Sequence, residues 1–414
     1  MQGIILSAGY GVRLDKYKPK PLVEILGKPL IDYAYDKLKA LKINEITIIK
    51  SPALKLEHNC RQLIQALPLG TGDALKLIKE KGTFLVLPVD TPLVSKETLS
   101  NLIKYHFKHK NDITILASKV ENPYGYGRIF NYPLRIKEEK DLTNFQRKKK
   151  LVNAGIYILN DKVLKYLDKI EKNKITLEYY FTDIFKYLPS KIKKGIYQIN
   201  KEEEILGINT PLDLIKVTNL LSSKINQDLR KNNVFVNKAQ IGPDVKITPG
   251  VKISDNSIIL GNTIIEGNTY IIDSLIEDSK IISSIIGPYA HLKHSIIEES
   301  TIGNFVEVKN SEIKKQVKAK HLSYIGNALI EDGVNIGAGV IFSNFDGKIK
   351  SRSKVGSYSF IGSNSTIIAP ITIGSNCYIG AGSEVTSSLN DNTFYLRRGN
   401  EKRALNKKLI EKKE

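Results

Sequence analysis

A glycine-containing turn with two basic residues follows the first apolar run of the chain. Gly9 and Gly11 come just after residues 3–6, and Arg13 and Lys20 follow them. Glycines let a backbone approach a phosphate closely, its N–H groups can bind oxygen, and the basic side chains add fixed positive charge. A tight turn alone would also explain two glycines, but Arg13 and the segment Lys18-Pro19-Lys20-Pro21-Leu22 favour a nucleotide site.

An aspartate ends another apolar run. Asp90 follows residues 84–87 and would therefore lie at the carboxyl end of a strand, where open α/β sheets place their ligands. The alternative is a turn-forming Asp before Thr91-Pro92.

A histidine lies where a long repeat in the second half of the chain is interrupted, between residues 303 and 347. Histidine can act as a base near neutral pH, and His321 is therefore a candidate for taking a proton from an amine. A single histidine is more often a surface residue, and we interpret His106, His109, His291 and His294 in that way.

The repeat itself has a period of six residues. Aliphatic residues recur at 241, 247, 253, 259, 265 and 271, and again at 355, 361, 367, 373, 379 and 385. Six is a multiple of the strand period and fits no helix, so each repeat can point one aliphatic side chain inward from a short strand. The pattern predicts a parallel β-helix whose coils bury their apolar faces against one another. A β-sandwich of short strands is the alternative, but it would not keep one spacing over this length.

Residues 1–208 alternate apolar runs with amphipathic segments, which is typical of βαβ units and a mostly parallel sheet. We predict strands at 3–6, 45–49, 84–87 and 113–117, and helices at 30–41 and 96–107. A further helix should join the two domains and end near Asn232. It begins with Thr210 as cap, Pro211 in the first turn and Asp213 placed to answer the cap.

The resulting fold class is α/β plus all-β, in four parts. We place a Rossmann-like domain at 1–208, a linker helix at 209–232, a β-helix at 233–400 and a charged C-terminal tail at 401–414, which we expect to be a short helix or loose.

Composition and charge narrow the function classes. The chain of 414 residues has a formal net charge of +20, but lysines are spread along it and no aromatic-basic RNA-binding signature accompanies them. We therefore expect a solvated basic surface and no nucleic-acid partner. No apolar run could span a bilayer, the start lacks a basic signal-peptide region, and Cys60 and Cys377 are far apart. We expect a cytoplasmic protein without membrane insertion, disulfides or a cysteine metal site.

The first domain resembles the sugar-1-phosphate nucleotidylyltransferases. Within them the chain is similar to the bacterial bifunctional family of N-acetylglucosamine-1-phosphate uridyltransferases and glucosamine-1-phosphate acetyltransferases. The motifs that carry the resemblance follow the family's order: the glycine turn, 65–74, 89–93, 126–128, Glu138, 153–155, 178–183 and 207–209. In the second domain they are 303–309, 321–326, 335–339 and 343–347.

The resemblance implies a nucleotidylyltransferase site with the following residues. The uridine nucleotide would be held by Leu6, Ala8, Gly9, Lys20, Gln65, Gly70 and Thr71. The sugar would be bound by Gly127, Glu138, Asn153 and Asn209, and Mg²⁺ by Asp90 and Asn209. Arg13 and Lys20 would act in catalysis. The reaction joins UTP to N-acetylglucosamine-1-phosphate, and pyrophosphate leaves. Pro88-Val89 departs from the family's usual Tyr-Gly before the metal-binding Asp.

The resemblance also implies an acetyltransferase site on a left-handed β-helix. His321 would be the base and Glu307 the carboxylate that orients it. Glucosamine-1-phosphate would be bound by Lys293, Lys309, Tyr324 and Asn335, and acetyl-CoA by Ala338, Asn344, Phe345, Ser363, Ala381 and Arg398. Lys293 and Phe345 replace the usual Arg and Tyr. A homotrimer with sites between subunits is implied.

Two other functions remain open at this stage. The chain could transfer nucleotides only, with the β-helix as a trimer-forming scaffold or acting on another amino-sugar phosphate. It could also be a non-catalytic assembly protein, although such a protein has no physical need for Arg13, Lys20, Asp90, Asn209 and His321.

Overall fold

A computed structural model describes residues 1–9, 11, 14–15, 17–399 and 401–406, and for 398 and 401–406 the backbone only. The chain forms two compact units, Met1–Thr218 and Asn219–Glu414. Among the described residues, no helix has the length and apolar character needed to cross a membrane.

The first unit is built around a mixed sheet of nine strands. Strands β1 to β11 are Gln2–Ser7, Glu24–Ile25, Lys28–Pro29, Ile46–Lys50, Arg61–Ile64, Thr83–Pro88, Ile113–Lys119, Arg128–Asn131, Leu134–Lys137, Leu151–Asn160 and Lys194–Ile199. The central order is β11-β7-β10-β6-β1-β4-β5, with the β8–β9 hairpin joined to β10 and the β2–β3 pair separate. Strands β6, β1, β4 and β5 run parallel, and β10 is antiparallel to its neighbours. The predicted mostly parallel α/β fold is confirmed.

Six α-helices are described. They are α1 Leu30–Ala40, α2 Thr71–Lys76, α3 Lys96–Lys108, α4 Asn144–Arg147, α5 Asp161–Leu164 and α6 Pro211–Lys231. Helix α6 begins as expected, since the Thr210 hydroxyl accepts from the Asp213 N–H at 3.2 Å and the Asp213 carboxylate accepts from the Thr210 N–H at 2.8 Å. His106 on α3 is buried beside Thr114 and is not the surface residue we expected.

The second unit is the predicted β-helix, with three parallel sheets as its faces. The first face contains Gln240–Ile241, Ile258–Leu260, Leu275–Glu277, His291–Lys293, Glu307–Lys309, Tyr324–Gly326, Ile341–Ser343, Thr366–Ile368 and Glu384–Val385. The second contains Lys246–Ile247, Ile264–Glu266, Lys280–Ile282, Ile296–Glu298, Glu312–Ile313, Ala328–Ile330, Ser353–Val355 and Ile371–Ile373. The third contains Lys252–Ile253, Tyr270–Ile271, Ile285–Ile286, Thr301–Asn304, Lys318–His321, Asn335–Ile336, Phe360–Ile361, Tyr378–Ile379, Thr393–Arg398 and Glu401–Asn406.

The predicted aliphatic positions point inward, and Ile259, Ile265, Ile361 and Ile367 are fully buried. In the middle of the β-helix several sides are one residue shorter, as from Ile276 to Ile281, both of which are also buried. Asp278, between them, has a left-handed φ of 46°, so that a single residue turns the corner. The period of six is thus interrupted by shortened sides between residues 271 and 330, and also by the longer segment between the strands Ile341–Ser343 and Ser353–Val355.

The first part of the predicted tail, residues 401–406, differs from the expectation of a helix or loose tail, and residues 407–414 lie outside the described residues. Residues 401–406 form a strand that pairs antiparallel with 393–398 and closes the third face. The extended pairing satisfies backbone groups at the last coil that would otherwise form an open sheet edge.

Candidate functional sites

Three side chains from distant parts of the chain meet in the first unit. The Lys20 ammonium donates to the Asp90 carboxylate and, at 3.0 Å, to the Asn209 side-chain oxygen. Asp90 follows β6, Lys20 follows the glycine turn, and Asn209 precedes α6. The Ile208 N–H donates to the Asp90 carbonyl at 3.0 Å, which joins the segments that carry Asp90 and Asn209. Lys20, Asp90 and Asn209 therefore lie at one point, at the carboxyl end of the central strands.

This arrangement fits a magnesium ion. A carboxylate oxygen of Asp90 and the amide oxygen of Asn209 both face the same cationic group, and hard oxygens are the ligands that Mg²⁺ prefers. Within the described ranges no group of three or more His, Cys, Asp or Glu side chains could hold a metal. A site with two protein ligands suits Mg²⁺ that takes its other ligands from water and substrate phosphates.

The glycine turn packs directly against Lys20. Gly11 has a φ of +64°, and a Cβ there would lie 3.2 Å from Lys20 Cγ and closer still to Lys20 Cβ. A side chain at this position is excluded both by the backbone and by the lysine. Leu6 and Ala8 lie on the same stretch, at the end of β1 and just after it, whereas Arg13 is outside the described residues.

The predicted nucleotide residues at 65–71 also come together. The Gln65 amide donates to the Gly70 carbonyl at 3.1 Å and to Asp73 at 2.7 Å. Gly70 has a φ of +100°, and a Cβ on it would lie 2.6 Å from the Tyr179 carbonyl oxygen. The Thr71 hydroxyl accepts from the Phe181 N–H at 3.1 Å. This turn is thus held against residues 179–181 and cannot accept a larger residue at 70.

Three of the four predicted sugar contacts, Gly127, Glu138 and Asn153, are neighbours. The Asn153 N–H donates to the Gly127 carbonyl at 2.9 Å, and a Cβ on Gly127 would lie 3.3 Å from both Glu138 carboxylate oxygens. Burial raises the pKa of Glu138, although the Thr182 hydroxyl donates to it at 2.7 Å and favours its charged form. Thr182 was not predicted as a site residue. Its only signal in the sequence was its place in the motif 178–183.

The unusual pair Pro88-Val89 lies at the end of β6, between β1 and β10. The Val89 N–H donates to the Leu6 carbonyl at 3.1 Å, and its side chain is buried. Pro88 lies in register with Leu6 and approaches Gly155, where a Cβ would be 3.6 Å from Pro88 Cγ. Pro88 therefore presents an apolar ring next to the end of β1.

In the second unit, charged side chains stand in two columns on the first face. His291, Glu307 and Tyr324 are in register on successive coils, and so are Glu277, Lys293, Lys309 and Gly326. The Lys293 ammonium lies 3.3 Å from Glu277, and Lys309 forms an ion pair with Glu307. The structure thus brings Lys293, Lys309, Tyr324 and Glu307 together.

His321 lies elsewhere, at the end of a strand of the third face opposite Asn304. It is exposed, and its ring has no hydrogen-bond or ion-pair partner in the part of the chain that the structure describes. Glu307 contacts Lys309 and does not contact His321. The predicted orientation of His321 by Glu307 therefore stays a prediction. Asn335 is also on the third face, in register with Lys318 and Phe360.

Tyr324 and Asn344 converge over Gly326. A Cβ on Gly326 would lie 2.6 Å from the Tyr324 hydroxyl and 2.7 Å from the Asn344 amide nitrogen. The Asn344 amide also donates to the Asn327 side chain at 2.8 Å. Gly326 therefore leaves the space in which one predicted sugar contact and one predicted acetyl-CoA contact approach each other.

The remaining predicted acetyl-CoA residues follow one corner of the helix. The Asn364 N–H donates to the Ala338 carbonyl and the Gly382 N–H to the Ser363 carbonyl, both at 2.8 Å. Ala338, Ser363 and Ala381 thus lie on successive coils. Phe345 is exposed on the inserted loop between the coils of Phe342 and Ile367, and the Arg398 side chain is outside the described part of the chain.

Comparison with known proteins matches both units. Residues 3–154 match the family model of the MobA-like NTP transferase domain, and residues 352–387 match the bacterial transferase hexapeptide model (six repeats). A curated relative from Streptococcus mutans serotype c, "Bifunctional protein GlmU", is 36% identical over 99% of this chain and 97% of its own length. The protein of the same name from Clostridioides difficile is 36% identical over 100% of this chain and 98% of its own length. On this full-length similarity, with both units matched, the chain belongs to the family of bifunctional GlmU proteins.

Proposed function

We propose that the chain makes UDP-N-acetylglucosamine in two steps. The β-helix transfers an acetyl group from acetyl-CoA to glucosamine-1-phosphate, and the first unit joins the product to UTP. The observation that carries the uridylyl step is the meeting of Lys20, Asp90 and Asn209 at the carboxyl end of the central strands, where open α/β sheets bind their ligands.

In the uridylyl step, a phosphate oxygen of N-acetylglucosamine-1-phosphate attacks the α-phosphorus of UTP, and the bond to pyrophosphate breaks. Such transfers depend on positioning and on neutralising charge. Asp90 and Asn209 would hold Mg²⁺, which neutralises phosphate charge when bound. Lys20 lies within reach of the same oxygens and stabilises negative charge on the phosphates, with Arg13 assigned the same task.

Gly127, Glu138 and Asn153 bind the sugar in this proposal. The Glu138 carboxylate accepts from sugar hydroxyls as it does from Thr182. Leu6, Ala8, Gly9, Gln65, Gly70 and Thr71 line the nucleotide. Pro88 lacks both a hydroxyl and a backbone donor, so contacts to base and ribose come from these neighbours.

In the acetyl step, the sugar amine attacks the thioester carbonyl and the carbon–sulfur bond breaks. His321 takes the proton from the amine, and CoA leaves as the thiol. The exposed ring of His321 has no competing partner among the described residues and is free to accept this proton. Lys293 and Lys309 bind the phosphate of glucosamine-1-phosphate, and Tyr324 and Asn335 bind its sugar. The acetyl-CoA site is lined by Ala338, Asn344, Phe345, Ser363, Ala381 and Arg398.

We further propose a homotrimer with acetyltransferase sites between subunits. This is supported by the separation of the site residues within one chain: His321 and Asn335 lie on the third face, whereas Glu307, Lys309 and Tyr324 lie on the first. A neighbouring subunit would complete the site.

The test measures both products in the full-length protein. We expect CoA thiol release from acetyl-CoA with glucosamine-1-phosphate, and its loss in His321→Ala while pyrophosphate release from UTP and N-acetylglucosamine-1-phosphate continues. Asp90→Ala should give the opposite result. Thiol release that persists in His321→Ala would remove His321 from the mechanism.

A second candidate is nucleotidylyl transfer alone, with the β-helix as scaffold. It is favoured by the missing contact between Glu307 and His321, since a base that nothing orients is a poor catalyst. A folded trimer that releases pyrophosphate but no CoA thiol would establish this alternative.

A further inference from the structure

His291 joins the two acidic side chains that hold the lysines of the first face. Its Nε2 lies 3.1 Å from the Glu277 carboxylate, and its Nδ1 lies 3.8 Å from that of Glu307. Glu277 in turn contacts Lys293 at 3.3 Å, and Glu307 pairs with Lys309. Five charged or titratable groups from three successive coils thus form one continuous network.

Contacts within this network shift the pKa values of two of its members, Glu277 and Lys309. Burial disfavours the charged form of Glu277, but hydrogen bonds from His291 and Lys293 outweigh it and lower the pKa of this carboxyl. The hydrogen bond to Glu307 raises the pKa of Lys309. Both shifts favour the charged forms, that of Glu277 and that of Lys309.

The imidazole is the group that separates the two pairs. It lies on the coil between Glu277 and Glu307, and among the described residues each carboxylate would without it keep its lysine as its ion-pair partner. An imidazole between them can donate to either carboxylate, and to both when both nitrogens carry protons. The imidazole contacts Glu277 on the preceding coil and approaches Glu307 on the following coil. Lys293 lies on the same strand as His291, Lys309 on the strand of Glu307, and Tyr324 on the strand after that.

We propose that His291, together with Glu277, is a positioning residue for the phosphate of the amino-sugar substrate. Through its 3.1 Å contact with Glu277 and its position 3.8 Å from Glu307, it keeps Lys293 and Lys309 at a fixed separation with their remaining N–H donors available to a phosphate. This inference rests on the proposed acetyltransferase function. It predicts that His291 acts on substrate binding and not on the chemical step, because its ring contacts the carboxylates that pair with the two lysines.

The test is His291→Gln in the full-length protein, by steady-state thiol release. We expect the KM for glucosamine-1-phosphate to rise about fivefold to tenfold, as for one charge-assisted hydrogen bond lost. The kcat and the KM for acetyl-CoA should stay within about twofold, because neither depends on the lysine pair in this proposal. Glu277→Gln should act in the same direction, and His291→Arg should keep the KM near wild type, since a guanidinium can donate to both carboxylates.

His294 provides a matched control. It is an exposed histidine on the same coil, 3.9 Å from Asp278, and it lies outside the two columns. His294→Gln should leave every constant unchanged. An equal rise in KM for both variants, a fall in kcat alone in His291→Gln, or no change in His291→Gln would each overturn the proposal.

Direct binding separates this proposal from the proposed function. If the wild type releases no thiol, the acetyltransferase assignment fails, and calorimetric binding of glucosamine-1-phosphate alone still tests His291. Weaker binding to His291→Gln than to wild type and His294→Gln would support the positioning role. Equal binding to all three proteins, or none to any, would refute it.

Discussion

Replacing Gly11 by alanine should separate the two activities. Gly11 has a φ of +64°, in the left-handed region, where an L side chain costs about 1 kcal/mol. The new Cβ would lie 3.2 Å from Lys20 Cγ and 3.3 Å from Lys20 Cδ, with Lys20 Cβ nearer still. Since carbon atoms pack at about 4 Å, either the turn or Lys20 must move by about 1 Å.

That displacement bears directly on the uridylyl site. Lys20 holds Asp90 and Asn209 through one ammonium, so a shift of its stem moves the group at which all three side chains meet. A displacement of about 1 Å in a positioned catalytic group costs about 100-fold in rate. We therefore expect pyrophosphate release by Gly11→Ala to fall about 100-fold, while CoA thiol release by the other unit stays unchanged.

Gly82 supplies the control for backbone strain. Its φ is +122°, and a Cβ there would meet no heavy atom within 4 Å. Gly82→Ala should thus lower stability at least as much, because its φ lies outside the left-handed region, and should leave pyrophosphate release intact. Full activity in Gly11→Ala, or an equal loss in Gly82→Ala, would refute the argument from the Lys20 contact.

Three further predictions concern other parts of the molecule. Glu138→Gln should stabilise the fold at neutral pH. Burial raises the pKa of Glu138 in the folded protein above its ordinary value of 4.5. The stability of the wild type therefore falls as the pH rises from 4.5 through the folded pKa. The difference in Tm between variant and wild type, followed by scanning fluorimetry from pH 4 to pH 8, should therefore grow with pH, and a pH-independent difference would contradict this. Gly326→Ala should reduce thiol release at least about 10-fold and leave pyrophosphate release unchanged. The new Cβ would lie 2.6 Å from the Tyr324 hydroxyl, so Tyr324 would have to shift. Thiol release by the variant at the wild-type rate would argue against the convergence over Gly326. Ile297→Ala should destabilise the β-helix by about 2–5 kcal/mol in denaturant unfolding, because Ile297 is fully buried in the stack. A loss of stability below about 1 kcal/mol would mean that the coils close around the cavity.

The core of the β-helix could be predicted from the sequence because its signal is a period. Inward residues such as Ile259, Ile265 and Ile361 repeat at the spacing that a three-sided coil imposes. The shortened sides could not be predicted, because they depend on corners where a single residue adopts φ > 0. Asp278, Ser283 and His294 all do so, and these residue types occupy ordinary turns as well.

The same shortening explains why the network around His291 was missed. With a coil of 18 residues, as in the regular repeats, Lys309 would stand above His291 and the partner of Glu277 would be Ser295. The actual coils place Lys293 above Glu277 and Glu307 above His291. A change of two residues in coil length therefore changes which side chains face each other. The meeting of Lys20, Asp90 and Asn209, in contrast, depends on strand ends, which the α/β pattern and the family motifs locate well.

The columns of the first face also show how a rigid β-helix can place different chemical groups at regular distances along one site. Neighbouring strands are about 4.8 Å apart, so two lysines on successive coils are separated by about the width of one phosphate group. The column reads Glu277, Lys293, Lys309, Gly326, from an acid through two bases to a residue without a side chain. The glycine ends the charged series and admits the Tyr324 hydroxyl and the Asn344 amide in its place. Lys293 and Lys309 thus supply positive charge for a phosphate, and one coil later Gly326 leaves space for an uncharged group. A parallel β-helix can therefore change substrate by replacing one residue in a column, without altering the buried stack that holds the coil.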